Sequence, residues 1–191
     1  MSLVLYIHGF LSSPLSIKAQ QVDAWLKQHR PGWDYGCPEL PAYPEQAMHI
    51  LEQVVDKFQG HPIYLLGSSL GGYYATYLSQ TYSLKAILVN PAVRPYRFML
   101  EYLHQELENY HTDNTYRLND DHIRQIQRYE LETLTDPEKI WLLAQTGDET
   151  LDYRDAKTYY KGCKQTIEQG GDHGFQGFEK KLPDIIRFFE N

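Results

Sequence analysis

Short, fully apolar runs alternate along the chain with longer segments in which apolar residues recur every three or four positions. Leu3–Ile7 is such a run and ends abruptly in His8-Gly9. Ile63–Leu66 breaks at Gly67, Ala86–Val89 at Asn90-Pro91, and Ile140–Ala144 just before Gly147-Asp148. Trp33–Cys37 and Thr166–Glu168 are shorter, more polar runs of the same kind. Between them, residues 17–29 place Ile17, Val22, Trp25 and Leu26 near one helical face. Residues 45–58 do the same with Met48, Leu51, Val54, Val55 and Phe58, and residues 70–80, 153–160 and 182–189 read as further helices. Strands without polar alternation have both faces covered, and strands alternating with helices build a parallel sheet. The pattern predicts an α/β fold of about six mostly parallel strands with helices on both faces, in one domain over residues 1–191.

One segment breaks the rhythm. Residues 94–138 separate two strands with no obvious strand between them, and an insertion of this length is commonly a lid or binding loop. It holds five Arg, no Lys and ten Asp or Glu, so most of the chain's excess negative charge lies there. Leu100, Leu103, Leu107 and Tyr110 fall at spacings of three and four. The insertion is therefore expected to be mostly helical and to cap the sheet edge where function sits, with those four residues as an apolar roof.

Charge and composition narrow the setting. With 18 Lys and Arg against 25 Asp and Glu, the net charge of −7 disfavours nucleic acid and anionic membrane as partners. The two cysteines, Cys37 and Cys163, form no paired motif, which fits a reduced compartment. No Lys or Arg precedes Lys18, so the start lacks the cationic pattern of a secretory signal, and no apolar run is long enough to cross a membrane. A cytoplasmic location is expected.

The chemistry concentrates in Gly67-Ser68-Ser69-Leu70-Gly71-Gly72, a G-x-S-x-G pattern between a buried strand and a helix. A serine at that place sits on a sharp strand-to-helix turn where Gly67 and Gly71 leave room for neighbouring backbone, and its hydroxyl points outward. A serine hydroxyl needs a base, and the base an orienting carboxylate, which follow in the chain order Ser, Asp or Glu, His. Of the eight histidines, His173 alone follows both the last strand and a Gly pair. Asp148 and Asp152 both follow the preceding strand and both are candidates for the acid. An oxyanion hole needs two backbone donors; the Leu70 N–H and, after the first strand, the Phe10 N–H are placed to supply them. His8 reads as a turn-stabilising residue and Arg94 as a possible substrate contact. There is no HExxH or paired-Cys spacing for a metal and no GxGxxG after a strand, so neither metal nor cofactor is expected.

These strings resemble the α/β-hydrolase superfamily and, within it, the small bacterial YqiA-type esterases. The resemblance is carried by Leu-Tyr-Ile-His-Gly-Phe (5–10), Gly-Ser-Ser-Leu-Gly-Gly-Tyr-Tyr-Ala-Thr (67–76), Asn-Pro-Ala-Val-Arg-Pro (90–95) and Gln-Thr-Gly-Asp-Glu with Leu-Asp-Tyr-Arg (145–154). It implies a minimal α/β-hydrolase fold lacking the first two strands of the full fold, with sheet order 2-1-3-4-5-6. It also implies a Ser69–His173–Asp148 triad, with Asp148 ahead of Asp152. Asp152 stands one helical turn later, where capping the following helix is its natural work. The activity implied is hydrolysis of small or medium acyl esters, on a small-molecule substrate and without a cofactor. A thioesterase, or a non-catalytic scaffold of the same fold acting as a binding protein, is the alternative.

Overall fold

The structure, a computed structural model, describes residues 2–191. In chain order it begins β1 (Leu3–Ile7), α1 (Ile17–His29), β2 (Asp34–Gly36), α2 (Pro44–Lys57), β3 (Ile63–Ser68), α3 (Leu70–Tyr82) and β4 (Lys85–Val89). The insertion then carries α4 (Tyr96–Met99), β5 (Glu106–Glu108), β6 (Thr115–Arg117) and α5 (Asp120–Gln127). The chain finishes with β7 (Ile140–Gln145), α6 (Tyr153–Tyr159), β8 (Lys164–Glu168) and α7 (Leu182–Glu190). Six strands pair in the order β2-β1-β3-β4-β7-β8, every pair parallel. This is the 2-1-3-4-5-6 order.

The apolar runs form strands because both of their faces are buried. In β1, Leu3, Leu5 and Ile7 pack on one side with Leu65, Leu88 and Leu142, beneath Met48 and Leu51 of α2 and Tyr74 and Leu78 of α3. Val4 and Tyr6 point the other way, joining Leu66, Val89 and Leu143 under Val22 and Leu26 of α1 and Ile185 and Phe189 of α7. The two-residue period divides each strand between two cores. Burying a side chain such as Phe189, 1% exposed, contributes about 1.5–3 kcal/mol.

Strand order reverses between β1 and β3. Their outgoing loops therefore part to opposite faces and leave a crevice at the carboxyl edge, the place where open α/β sheets bind ligands. No helix among the described residues is long and apolar enough to cross a membrane.

The insertion departs from the expected helical cap. Helix is confined to α4, a 3-10 turn at Leu100–Tyr102, α5 and a second 3-10 turn that begins at Pro137, and β5 and β6 form an antiparallel hairpin. His104 adopts φ +62, which ends the helical path, and Leu107 is then buried between exposed Glu106 and Glu108 in a two-residue alternation. Leu100 and Tyr110 remain 53% and 71% exposed, so the four residues make no continuous apolar helix face. The hairpin is instead tied to the loop after β1. Tyr110 N–H donates to Leu11 O at 2.8 Å, and Asn109 Nδ2 to Ser12 O at 2.8 Å.

Candidate active site

Ser69 occupies the turn between β3 and α3 at φ +55 and ψ −121. A non-glycine residue in such a conformation costs on the order of 1–3 kcal/mol and persists only where its surroundings fix it. Here Ser69 N–H donates to Val89 O at 3.0 Å, and Ser69 O accepts from Gly72 N–H at 2.9 Å and Ala92 N–H at 3.0 Å. Close approach explains the glycines. A Cβ at Gly71 would lie 1.9 Å from Ile7 O, and one at Gly67 2.3 Å from Gly71 O.

Three side chains from three loops meet at this turn. His173 Nε2 lies 3.1 Å from Ser69 Oγ, and His173 Nδ1 lies 2.9 and 2.8 Å from the two oxygens of Asp148. Nδ1 can donate only to the carboxylate, which leaves Nε2 as the acceptor facing the serine hydroxyl. The Asp148 side chain is 2% exposed, and Oδ1 also accepts from Thr150 N–H and Leu151 N–H, both at 2.9 Å. Asp152 lies outside this chain of contacts. Its side chain accepts from Arg154 N–H at 2.9 Å and caps α6. Position alone separates the two acids.

The loop bearing His173 is held by residues that motif reading does not single out. Asn90, 3% exposed and at φ +41, donates from Nδ2 to Asp172 O at 3.0 Å and His173 O at 3.1 Å. Its Oδ1 accepts from Gln145 N–H at 2.9 Å. Gln145 Oε1 accepts from Asp172 N–H and Gln176 N–H, and Glu149 Oε2 accepts from His173 N–H at 3.0 Å. In sequence Asn90 registered as the stop after a strand and the start of a family-like string, with no role toward His173.

On the other side of Ser69, Gly9 brings the loop after β1 close: a Cβ there would meet Ser69 Cβ at 3.2 Å. Among the described residues, neither the Phe10 nor the Leu70 amide donates to another protein group. His8 is buried and bonded at both nitrogens, donating from Nδ1 to Gly9 O and accepting at Nε2 from Leu40 N–H, each at 3.0 Å. Burial draws its pKa below the usual histidine range, so it stands as a neutral clip between two loops. The thiols are unsuited to be nucleophiles, because burial pushes Cys37 up to about 12 and Cys163 up to about 11.

A cavity of about 530 Å³ opens over Ser69 and His173. Phe10, Phe98, Tyr102 and Tyr110 line it, so the insertion contributes to its wall. Arg94 does not reach it. That guanidinium pairs with Glu130 at 3.0 Å and faces a separate cavity of about 190 Å³ shared with Arg97 and Asp155. No group of three or more His, Cys, Asp or Glu side chains converges as a metal cluster among the described residues.

Solved structures share this architecture, the α/β-hydrolase fold. Est1E from Butyrivibrio proteoclasticus matches with a TM-score of 0.74 at 18% identity, over 99% of this chain and 86% of that one. Alpha/beta hydrolase domain-containing protein 10 from mouse matches with a TM-score of 0.73 at 17% identity, over 97% of this chain and 89% of its own. The ydeN gene product of B. subtilis gives 0.66 at 15% identity, with full coverage of both chains. At these identities the likeness is one of fold. The chain itself belongs to the uncharacterised protein family UPF0227, whose family model matches residues 3–190; this is the family of the YqiA-type proteins.

Proposed function

We propose that the protein is a serine hydrolase that cleaves small or medium acyl esters through an acyl-enzyme intermediate. The observation that carries this reading is the unbroken Ser69 Oγ, His173 Nε2, His173 Nδ1, Asp148 contact chain, each link between 2.8 and 3.1 Å. Ser69 Oγ attacks the ester carbonyl as His173 Nε2 takes its proton. Asp148 fixes the tautomer and stabilises the imidazolium that forms. The Phe10 and Leu70 amides hold the oxyanion; the strained turn and helix α3 keep the Leu70 donor aimed before substrate arrives, and the close approach of Gly9 to Ser69 carries the Phe10 donor. Collapse breaks the bond to the alcohol oxygen, which leaves with the proton from His173. Water, deprotonated by the same imidazole, then attacks the acyl-serine and releases the acid. Ester and water suffice, and no cofactor enters the balance. In this reading residues 1–191 act as one domain, with the insertion 94–138 walling the acyl and alcohol sites.

Rapid mixing with 4-nitrophenyl butyrate tests it. The expected result is a burst of nitrophenolate equal to the enzyme concentration wherever deacylation is the slower step, with loss of turnover by about 10⁴-fold or more in Ser69→Ala. Undiminished turnover in Ser69→Ala overturns the proposal.

A further inference from the structure

The reaction proposed above uses only part of the cavity wall. One end is aromatic, with Phe10 packed against Phe98 and Tyr102 at ring separations of 5.8 and 5.6 Å. The other end is polar and is built by the start of α1, which brings Ser16 and Lys18 into the lining. Here the helix opens without a side-chain cap and without an acidic residue in its first turn, and its hydrogen bonding starts only at Gln20 N–H. The preceding amides are left without internal acceptors, as at any helix start. Ser16 Oγ is buried beside the Tyr6 phenol and has no partner of good hydrogen-bond geometry. Lys18 Nζ donates to Gly174 O at 2.8 Å and forms no ion pair among the described residues, so two of its three N–H groups remain unused.

The carboxylates of Asp172 and Asp148 favour the charged form of Lys18 but direct their oxygens to other donors. Asp148 is bonded to His173 and two amides, and Asp172 Oδ2 accepts from Gln176 Nε2 at 2.9 Å. Glu101, whose carboxylate belongs to the cavity lining, is exposed and lies on the aromatic turn beside Tyr102. A half-buried ammonium with unused N–H groups and an uncapped helix start thus meet in the cavity wall beside the candidate triad.

We infer that this recess binds an anionic group, a carboxylate or a phosphate monoester, carried on the alcohol portion of the ester. The inference rests on the hydrolase reading. The side is set by geometry: His173 delivers a proton to the departing oxygen, and the carbonyl that holds Lys18 belongs to the next residue, Gly174. The alcohol therefore leaves past Lys18. Charge-assisted bonds to an anion are about twice as strong as neutral ones, and the helix start adds donors of the same sense.

Three butyryl esters test the recess: those of 3-hydroxybenzoate, of 3-hydroxyphenyl phosphate and of methyl 3-hydroxybenzoate. They share acyl group and ring and differ in charge. Each kcat/KM is divided by the rate of hydroxide-catalysed hydrolysis. For the wild-type protein at least one anionic ester should exceed the methyl ester by about tenfold or more, and the better of the two identifies the head group. In Lys18→Met that ratio should fall to within about twofold of one, and Lys18→Arg should keep most of it. A ratio taken within one variant is insensitive to its folded fraction. Wild-type ratios near one for both anions, or a ratio unchanged in Lys18→Met, overturn the recess while Ser69-dependent turnover of the methyl ester leaves the hydrolase reading standing. Turnover of all three that survives in Ser69→Ala overturns both.

Discussion

Replacing Asn90 by alanine removes the side chain that joins two strands to the His173 loop. Three hydrogen bonds disappear together, at 2.9, 3.0 and 3.1 Å. The Gln145 N–H is left buried without its acceptor, which costs about 1–3 kcal/mol, and two carbonyls lose a donor worth about 1 kcal/mol each. Alanine also tolerates the left-handed φ of +41 less well than asparagine, by about 1 kcal/mol. The total is about 4–6 kcal/mol before relaxation. For a chain of this length each kcal/mol shifts Tm by about 2–4 °C, so a fall of about 10 °C or more is expected. Activity should fall further than stability explains. Loosening His173 relative to Ser69 lowers kcat by about 10- to 100-fold per folded molecule, with KM little changed. Phe189→Ala, in α7 on the opposite face of the sheet, is the control. It costs about 3–5 kcal/mol as a buried truncation but should leave kcat per folded molecule intact. The assays are thermal unfolding by circular dichroism and ester turnover well below Tm. If Asn90→Ala melts within about 2 °C of wild type, or loses no more kcat than Phe189→Ala, the positioning argument is wrong.

Two further outcomes follow from the loops around Ser69. Asp148→Asn should lower kcat by on the order of 10⁴ by favouring the wrong histidine tautomer, whereas Asp152→Asn should change kcat and Tm little because asparagine caps α6 about as well; steady-state kinetics and Tm of the pair check this, and the reverse order contradicts it. His8 has a pKa drawn down mainly by burial, so the folded state binds its proton less readily than the unfolded chain. Its contribution is complete above the ordinary histidine value of about 6.5 and is lost as pH falls below it. The Tm gap between wild type and His8→Ala should therefore shrink from pH 7.5 to pH 5, and a gap that stays constant or widens refutes the neutral-clip assignment.

How far the sequence led depended on whether a feature is local. The central strands were legible because β1, β3, β4 and β7 are nearly uniform apolar runs, and α2 and α7 because their apolar spacing matches one buried face. The meeting of Ser69, Asp148 and His173 was legible for a related reason. Strand ends on one edge of a parallel sheet lie together, so residues just after three strands must converge. The insertion was not legible. Leu100, Leu103, Leu107 and Tyr110 mimic a helical period, yet the positive φ at His104 and the exposed glutamates flanking Leu107 make a hairpin, which is held by contacts distant in sequence, with the loop after β1 and with Glu39 and Tyr43. Arg94 looked available as a cation until Glu130, 36 positions later, took it. Asn90, Gln145 and Lys18 act on partners 82, 31 and 156 positions away, and no motif spacing encodes such pairs.

Reaction with a fluorophosphonate probe, read by intact mass and peptide mapping, tests the central claim most directly. The account predicts one adduct per folded chain, on Ser69, formed slowly or not at all in His173→Ala and absent from Ser69→Ala. No labelling of the folded protein, or an adduct on a different residue, contradicts it.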